Sequence, residues 1–336
     1  MPVLQLKEIH DLAVRVLTAS RTSPENATII ADALTAAEAD GLSSHGASRL
    51  PSYADQAIKG KVNGFAEPAL EQTAAAAVRV DARDGFAFPA IAMGLERAVE
   101  IIDQTGIAGV AVGNSHHFGV AGYHVERLAE KGLVGIAFGN SPAGIAPWGG
   151  SRPLFGTNPI AFACPRADAS PLVTDLSLSK VARGKLMVAA RTDQPIPEGW
   201  ALDPDGNPTT DAKAGLAGTM IPMGDVKGAV LALMVEIIAA ALTGSHFGYE
   251  ASSFLSADGP PPRVGQFFLI LKPDCFAGDG FVGRVEVLLA AILEQPGTRL
   301  PGYLDTRAES IKSGVNIADE LHAELIERAS KTKEQT

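Results

Sequence analysis

Cysteine is scarce. Cys164 and Cys275 are the only two in 336 residues, and they lie far apart, without the spacing of a metal site or a disulfide framework. They read as reduced thiols in a cytoplasmic protein. Aromatic residues make up only 6%. Positive charge is short as well: 28 Lys and Arg stand against 38 Asp and Glu, a net charge of −10. Nucleic-acid binding needs a clustered basic face, so nucleic acid is excluded as the main partner. No apolar run is long enough to cross a bilayer, and no membrane partner is expected. The longest run, Ala229 to Leu242, is interrupted by Glu236 and reads as a buried helix. The opening stretch, Met1 to Glu8, has neither the basic start nor the apolar run of a secretory leader. The G-x-G-x-x-G fingerprint, the Walker A loop, the G-x-S-x-G elbow and the H-E-x-x-H motif are all missing.

What is present describes a compact chain, 46% hydrophobic and 20% charged, long enough for two domains. Leu6 to Ala19 reads as an amphipathic helix. Ser23-Pro24-Glu25 is a helix start, with Ser as N-cap and Pro in the first turn. That helix stops at Gly41, and another carries Arg49 and Tyr53 to about Gly60. From about Ala76 a strand–helix–strand rhythm begins. Val78–Asp81, Gly109–Val112, Leu133–Phe138, Pro159–Cys164, Leu172–Asp175 and Gln266–Leu271 read as strands. Helices are expected over Pro89–Thr105, Val120–Lys131, Val226–Thr243 and Val282–Leu293. Tyr249 to Pro262, rich in Gly, Pro and Ser, predicts a mobile loop. A final helix, Ile317 to Lys331, is expected to return to the N-terminal helices.

The polar clusters carry the chemistry. Asp40-Gly41-Leu42-Ser43-Ser44-His45-Gly46-Ala47-Ser48-Arg49, followed by Tyr53, gathers a hydroxyl, an imidazole, a guanidinium and a phenol. An imidazole moves protons near neutral pH, and a guanidinium fork fits a carboxylate. The same residues also fit an ordinary helix C-terminus with a glycine cap. Asn114-Ser115-His116-His117-Phe118-Gly119 follows a strand and precedes a helix, where helix N–H groups and Gly119 and Gly122 admit an anion. One histidine capping the helix and one at the surface would look the same. Phe155-Gly156-Thr157-Asn158-Pro159, Asp175 to Ser179, Arg183-Gly184-Lys185 and Gly224 to Gly228 complete the set. From the residues alone the reading stops at an α/β enzyme with an anionic ligand and His and Arg in its site.

As a set, these motifs resemble the malate/L-lactate dehydrogenase family of the second type, which is unrelated to the Rossmann-fold enzymes of similar name. The likeness runs from Asp40-Gly41 and Ser44-His45-Gly46 through His116-His117-Phe118-Gly119, Leu154 to Pro159, Asp175, Gly184-Lys185, Pro197-Glu198-Gly199, Asp211 and Lys227-Gly228 to Arg299-Leu300-Pro301-Gly302. It implies an α/β (α+β) fold with a non-Rossmann NAD(P)-binding domain containing a mixed sheet. A helical domain built from both chain ends, 1–75 and 295–336, would flank that 76–294 domain. It also implies a homodimer, NAD or NADP as cofactor, and hydride transfer to C2 of a small 2-oxo acid or of a cyclic imino acid such as Δ1-piperideine-2-carboxylate. By the same resemblance His45 is the general acid/base, Ser44 its partner and His117 the second candidate. Arg49 binds the substrate carboxylate, with Tyr53 and Thr157 lining the substrate site. His117, Phe118, Gly119, Val120 and Ala121, then Asp175, Leu176, Ser177, Arg183, Lys227 and Asp274 contact the dinucleotide. No metal is implied. One departure stands out: Lys185 occupies the place where the imine-reductase branch carries an Asp that assists Ser and His. A cation there favours a developing oxyanion, hence a 2-oxo or 2-hydroxy acid such as malate, lactate or sulfolactate. Pro197-Glu198-Gly199 and Asn207 to Asp211 remain similar to the imine reductases.

Overall fold

The computed structural model describes residues 1–330. Strand β1 (Val3–Leu4) leads into α1 (Leu6–Ala19), the helix its periodicity predicts. Its buried side chains Ile9, Leu12, Ala13, Val16 and Leu17 follow the i, i+3, i+4, i+7 spacing of a single face. In α2 (Pro24–Ala39) the Ser23 hydroxyl accepts the Asn26 N–H, as the Ser-Pro start predicts. After α3 (Leu50–Ile58) come β2 (Ala69–Ala74), β3 (Ala77–Asp81), α4 (Ala87–Thr105) and β4 (Ile107–Ser115). Gly106 closes α4 at φ +69, a left-handed cap that suits glycine. Then follow α5 (Ala121–Ala129), β5 (Val134–Gly139), β6 (Ile160–Cys164) and β7 (Leu172–Leu176).

The next stretch holds elements the sequence did not announce: α6 (Arg183–Arg191), the short strands β8 (Ala201–Leu202) and β9 (Pro208–Thr209), α7 (Ala212–Ala217) and β10 (Thr219–Met220). The three strands pair as β10-β8-β9 over a small core of Ile145, Val181, Leu186, Ile196 and Met220. Helix α8 (Val226–Glu236) stops short of the expected Thr243. It widens into a π turn over Ile237–Ala241, closed by the Leu242 N–H on the Ile237 carbonyl. Strand β11 (Val264–Leu271), α9 (Asp274–Ala277), α10 (Phe281–Leu293), α11 (Leu304–Ser313), β12 (Val315–Asn316) and α12 (Asp319–Ser330) complete the chain. The predicted end of the last helix, Lys331, lies outside the described residues.

The main sheet has seven strands in the order β2-β3-β4-β11-β5-β6-β7. Only β3 and β4 run parallel, joined by α4; the other neighbours are antiparallel. Helices α4 and α5 cover it, burying Ile91, Ile102, Val110, Val125, Leu128 and Phe268. A second core joins α1, α2 and α3 to Ile317 and Leu325, so the C-terminal helix does return to the N-terminal ones. Leu17, Ile30, Leu34 and Leu50 are fully buried there, each worth about 2–3 kcal/mol as an upper estimate.

Candidate active site

The site forms where the α2–α3 loop meets the loop after β4. Gly41 turns the chain at φ +75, and two short 3₁₀ turns, Ser43–His45 and Ala47–Arg49, follow. Ser44 Oγ lies 3.0 Å from His45 Nδ1. Arg49 Nε donates to the Ser44 carbonyl at 2.6 Å, which fixes the guanidinium beside the same turn. Among the described residues no carboxylate pairs with Arg49. Tyr53, one turn on, is buried, and its hydroxyl is 2.6 Å from His117 Nδ1. The His45 and His117 rings stack with centroids 5.6 Å apart. His45, Ser44, Arg49, Tyr53 and His117 therefore converge although their segments are remote in sequence.

Burial sets the charges. It depresses the His45 pKa to about 4, with the Arg49 charge adding to the effect. His117 is held well below its ordinary value by burial, then by Arg49 and its neighbouring imidazoles. The buried Tyr53 phenol is pushed far above its usual value. A neutral phenol can donate to Nδ1 or accept from it, and in either tautomer this bond fixes the orientation of the His117 ring. His116 is a different case. Its Nε2 must donate to Gln56 Oε1, 2.8 Å away, and burial lowers its pKa to about 3. Its Nδ1 is buried without a partner. This histidine is a structural member of the cluster.

Several contributors escaped sequence reasoning. Phe254 packs against both His116 and His117, at 5.3 and 5.2 Å between ring centroids. It belongs to the loop predicted to be mobile, but that loop is strapped down. Lys61, 2% exposed, donates to the carbonyls of Ser253, Ser256 and Asp258, and Gln56 and Ser52 both donate to that of Phe254. A phenylalanine inside a Gly/Ser/Pro stretch was the available signal. Glu236 is the second. Its carboxyl, 3% exposed, accepts from Asn140 Nδ2 (3.1 Å), Asn158 Nδ2 (2.7 Å) and the Gly248 N–H (2.7 Å). It thereby ties the loop after β5 to the segment holding Thr157, whose N–H donates to Ser141 Oγ. Asn140 also pairs with Gly265 on β11, next to Gln266, whose amide donates to the His116 carbonyl. Thr157, which leads into β6, thus lies on the sheet end that carries the histidines, three strand spacings, or roughly 14 Å, across.

The expected dinucleotide contacts divide. Asp175 Oδ2 accepts the Gly122 N–H at 2.8 Å, so this carboxylate, rather than a phosphate, occupies the start of α5. Val120, Gly122, Asp175, Asp40, Tyr303 and Arg307 line a small hollow beside it. Arg307 forks to Asp40 on one side and Glu126 on the other. Gly119 and Ala121 flank this entrance by their backbone, and exposed Leu176 and half-buried Ser177 continue past Asp175. Leu178 bonds through its backbone to Thr157 and Met223, which draws Ser177 and the start of α8, with exposed Lys227, into one patch. Arg183 is partly buried against Gly144, without an acidic partner among the described residues. Lys185 is exposed in the first turn of α6, and its side chain makes no hydrogen bond among the described residues.

Two expectations need correcting. The Phe118 ring is buried in the sheet core and stacks on His124, so it offers a ligand only its backbone. Asp274 follows β11, which runs antiparallel to β4, with Leu271 opposite Ile107 and Val264 opposite Ser115. It therefore sits at the far end of the sheet, about 27 Å along β4 from the histidines. Its neighbour Cys275 packs against Gly106 instead.

Residues 4–326 match the family model for malate/L-lactate dehydrogenase. The chain is 53% identical over 331 residues to a (2R)-3-sulfolactate dehydrogenase (NADP(+)) of Chromohalobacter salexigens, covering 97% of this chain and 99% of that one. It is 41% identical to Delta(1)-pyrroline-2-carboxylate reductase 1 of Burkholderia ambifaria, covering 96% of each. Among solved structures, delta1-piperideine-2-carboxylate reductase from Pseudomonas syringae superposes with a TM-score of 0.93 at 38% identity, covering 98% of this chain and 100% of that one. Sulfolactate dehydrogenase from Methanocaldococcus jannaschii gives 0.89 at 29% identity, covering 98% and 97%.

Proposed function

Since the chain belongs to the malate/L-lactate dehydrogenase family, we propose that it is an NADP(H)-dependent oxidoreductase of a small 2-hydroxy acid, with a sulfolactate-like acid as first candidate. The observation that carries this is Arg49: a guanidinium anchored by Nε, without an anionic partner among the described residues, beside two neutral imidazoles. The cofactor supplies or accepts a hydride at C2 of the acid. Partly buried Arg183 and exposed Lys227 offer cations to its phosphates, Asp175 an acceptor for a hydroxyl, and Gly119 to Ala121 their backbone.

Arg49 clamps the carboxylate and so orients C2. His45, assisted by Ser44, takes the hydroxyl proton during oxidation and returns it during reduction. His117, fixed by Tyr53, is the alternative donor. Carboxylate binding neutralises Arg49, which favours the protonated imidazole at the moment reduction needs it. Tyr53 and Thr157 line the acid's side chain, and Lys185 is the candidate contact for a second anionic group.

We also read the protein as a cytoplasmic homodimer; the outward-facing Val230, Leu233 and Met234 on α8, Ile237 in the π turn after it, and Val287 and Leu288 on α10 support the dimer. The division into a 1–75 plus 295–336 helical domain and a 76–294 domain is supported by the distinct helical and sheet cores, although β2 of the first segment joins the main sheet and Phe86 and Phe88 of the second pack into the helical core. The test is a panel of pyruvate, oxaloacetate, sulfopyruvate and piperideine-2-carboxylate with NADH and NADPH. No oxidation of either coenzyme refutes the reading. Faster turnover of the imine favours the second reading, a cyclic imino acid reductase, which the likeness to the pyrroline- and piperideine-2-carboxylate reductases supports.

A further inference from the structure

Beneath the His45 loop lies a carboxyl group to which the mechanism assigns no role. Glu38, on the last turn of α2, is 2% exposed. Its Oε1 accepts the Ala47 N–H at 2.7 Å, across nine residues of sequence. Ala47 opens the 3₁₀ turn that ends in Arg49, and the preceding turn ends in His45. Between them stands Gly46, and there the fit is tight: a Cβ at that position would lie 2.3 Å from Glu38 Oε1 and 2.6 Å from its Cδ and Cγ. The carboxyl fills the space directly under the peptide that separates the imidazole from the guanidinium. No cation pairs with it among the described residues, and burial raises its pKa. A buried acid without a countercharge is costly, and its retention under a catalytic loop calls for a reason.

We propose that Glu38 is a positioning residue: by holding the Ala47 N–H against Gly46 it sets the distance and angle between His45 and Arg49, so that proton donor and carboxylate clamp address one substrate. The role needs reach and an acceptor oxygen. It does not need charge. Glutamine supplies both. Aspartate keeps the charge but falls short by one methylene, about 1.5 Å. Alanine leaves the N–H unpaired and the space empty. A misplacement of about 1 Å at a reacting group costs up to 10²-fold in rate.

The inference rests on the proposed dehydrogenase activity, and its test uses the full chain with NADPH and the oxo acid the wild type turns over best. Glu38→Gln is expected to stay within about threefold of wild type in kcat/KM. Glu38→Asp and Glu38→Ala should each lose about 10–100-fold, with KM for the acid rising and kcat falling together. NADPH affinity, read by fluorescence titration, should not change. Wild-type turnover with Glu38→Ala and Glu38→Asp both within threefold overturns the role and leaves the dehydrogenase reading intact. If the alanine variant does not fold, the order of the other two decides: aspartate better than glutamine shows that charge matters, and refutes the inference. A wild type without turnover overturns both.

Discussion

Replacing Arg49 by Met keeps the apolar stem and deletes the fork, and its effect can be worked from the geometry. Nε is committed to the Ser44 carbonyl at 2.6 Å, which leaves the two terminal nitrogens for a carboxylate. Each charge-assisted bond contributes about 1.5 kcal/mol at the low end, so a bidentate pair contributes about 3. At 1.36 kcal/mol per decade that is about 150-fold in kcat/KM for the acid. A second effect has its own sign. His45 is held near pKa 4 by burial first and by the Arg49 charge second. Removing the charge raises that pKa. In oxidation of the hydroxy acid the imidazole must be neutral to accept the proton, so activity fails as pH falls through this value. The acid limb of kcat/KM in Arg49→Met should therefore move to higher pH. The assay is initial-rate oxidation with NADP+ from pH 4 to 9. A loss below threefold, or an acid limb that moves down, would refute the assignment of Arg49. Arg49→Lys, which keeps charge without the fork, should lose affinity while its acid limb stays in place.

The buried histidines make folding acid-sensitive. His116 and His124, with folded pKa values of about 3 and 4, stay neutral while the unfolded chain titrates near 6.5. Their contribution is complete above about pH 6.5 and is lost as pH falls toward the folded values, at about 1.4 kcal/mol per pH unit for each. Urea midpoints that do not fall between pH 7 and 5 would contradict this. Glu236→Ala strands the Asn140, Asn158 and Gly248 donors and should cost about 3 kcal/mol or more. A melting temperature within 2 °C of wild type, on the order of the error of a scan, would count against it. Lys185→Ala should leave stability within about 0.5 kcal/mol, since the side chain is exposed. It should raise KM for sulfopyruvate and leave that for pyruvate unchanged; equal values for both would remove Lys185 from the site.

Elements with caps and periodicity were legible in sequence. Helix α1 matches its predicted span because five apolar residues mark one face, and α4 ends where Gly106 predicts. Strand β2, Ala-Leu-Glu-Gln-Thr-Ala, carries no alternation because it is a polar edge. The β8–β10 sheet escaped because two-residue strands have no period, and α11 because it has a single buried side chain, Ser310. At the site, the His, Arg and Tyr types pointed to the chemistry, but their meeting depends on a contact across 64 residues, Tyr53 to His117. Gln56, three positions after Tyr53 on the same helix, was legible in principle. Glu38 was not, since a lone acid in a helix ordinarily faces water, whereas Glu236 was marked as the one charge in an apolar run read as a buried helix.

The ammonium of Lys61 has a mechanical meaning. By closing on three carbonyls it makes the 253–258 backbone an outrigger of α3. Tyr53 and Phe254, the two rings that flank His117, then ride on a common chassis. The spacing between the two rings is thus set by one rigid assembly, and the imidazole fits into a collar whose width does not depend on the loop that carries it.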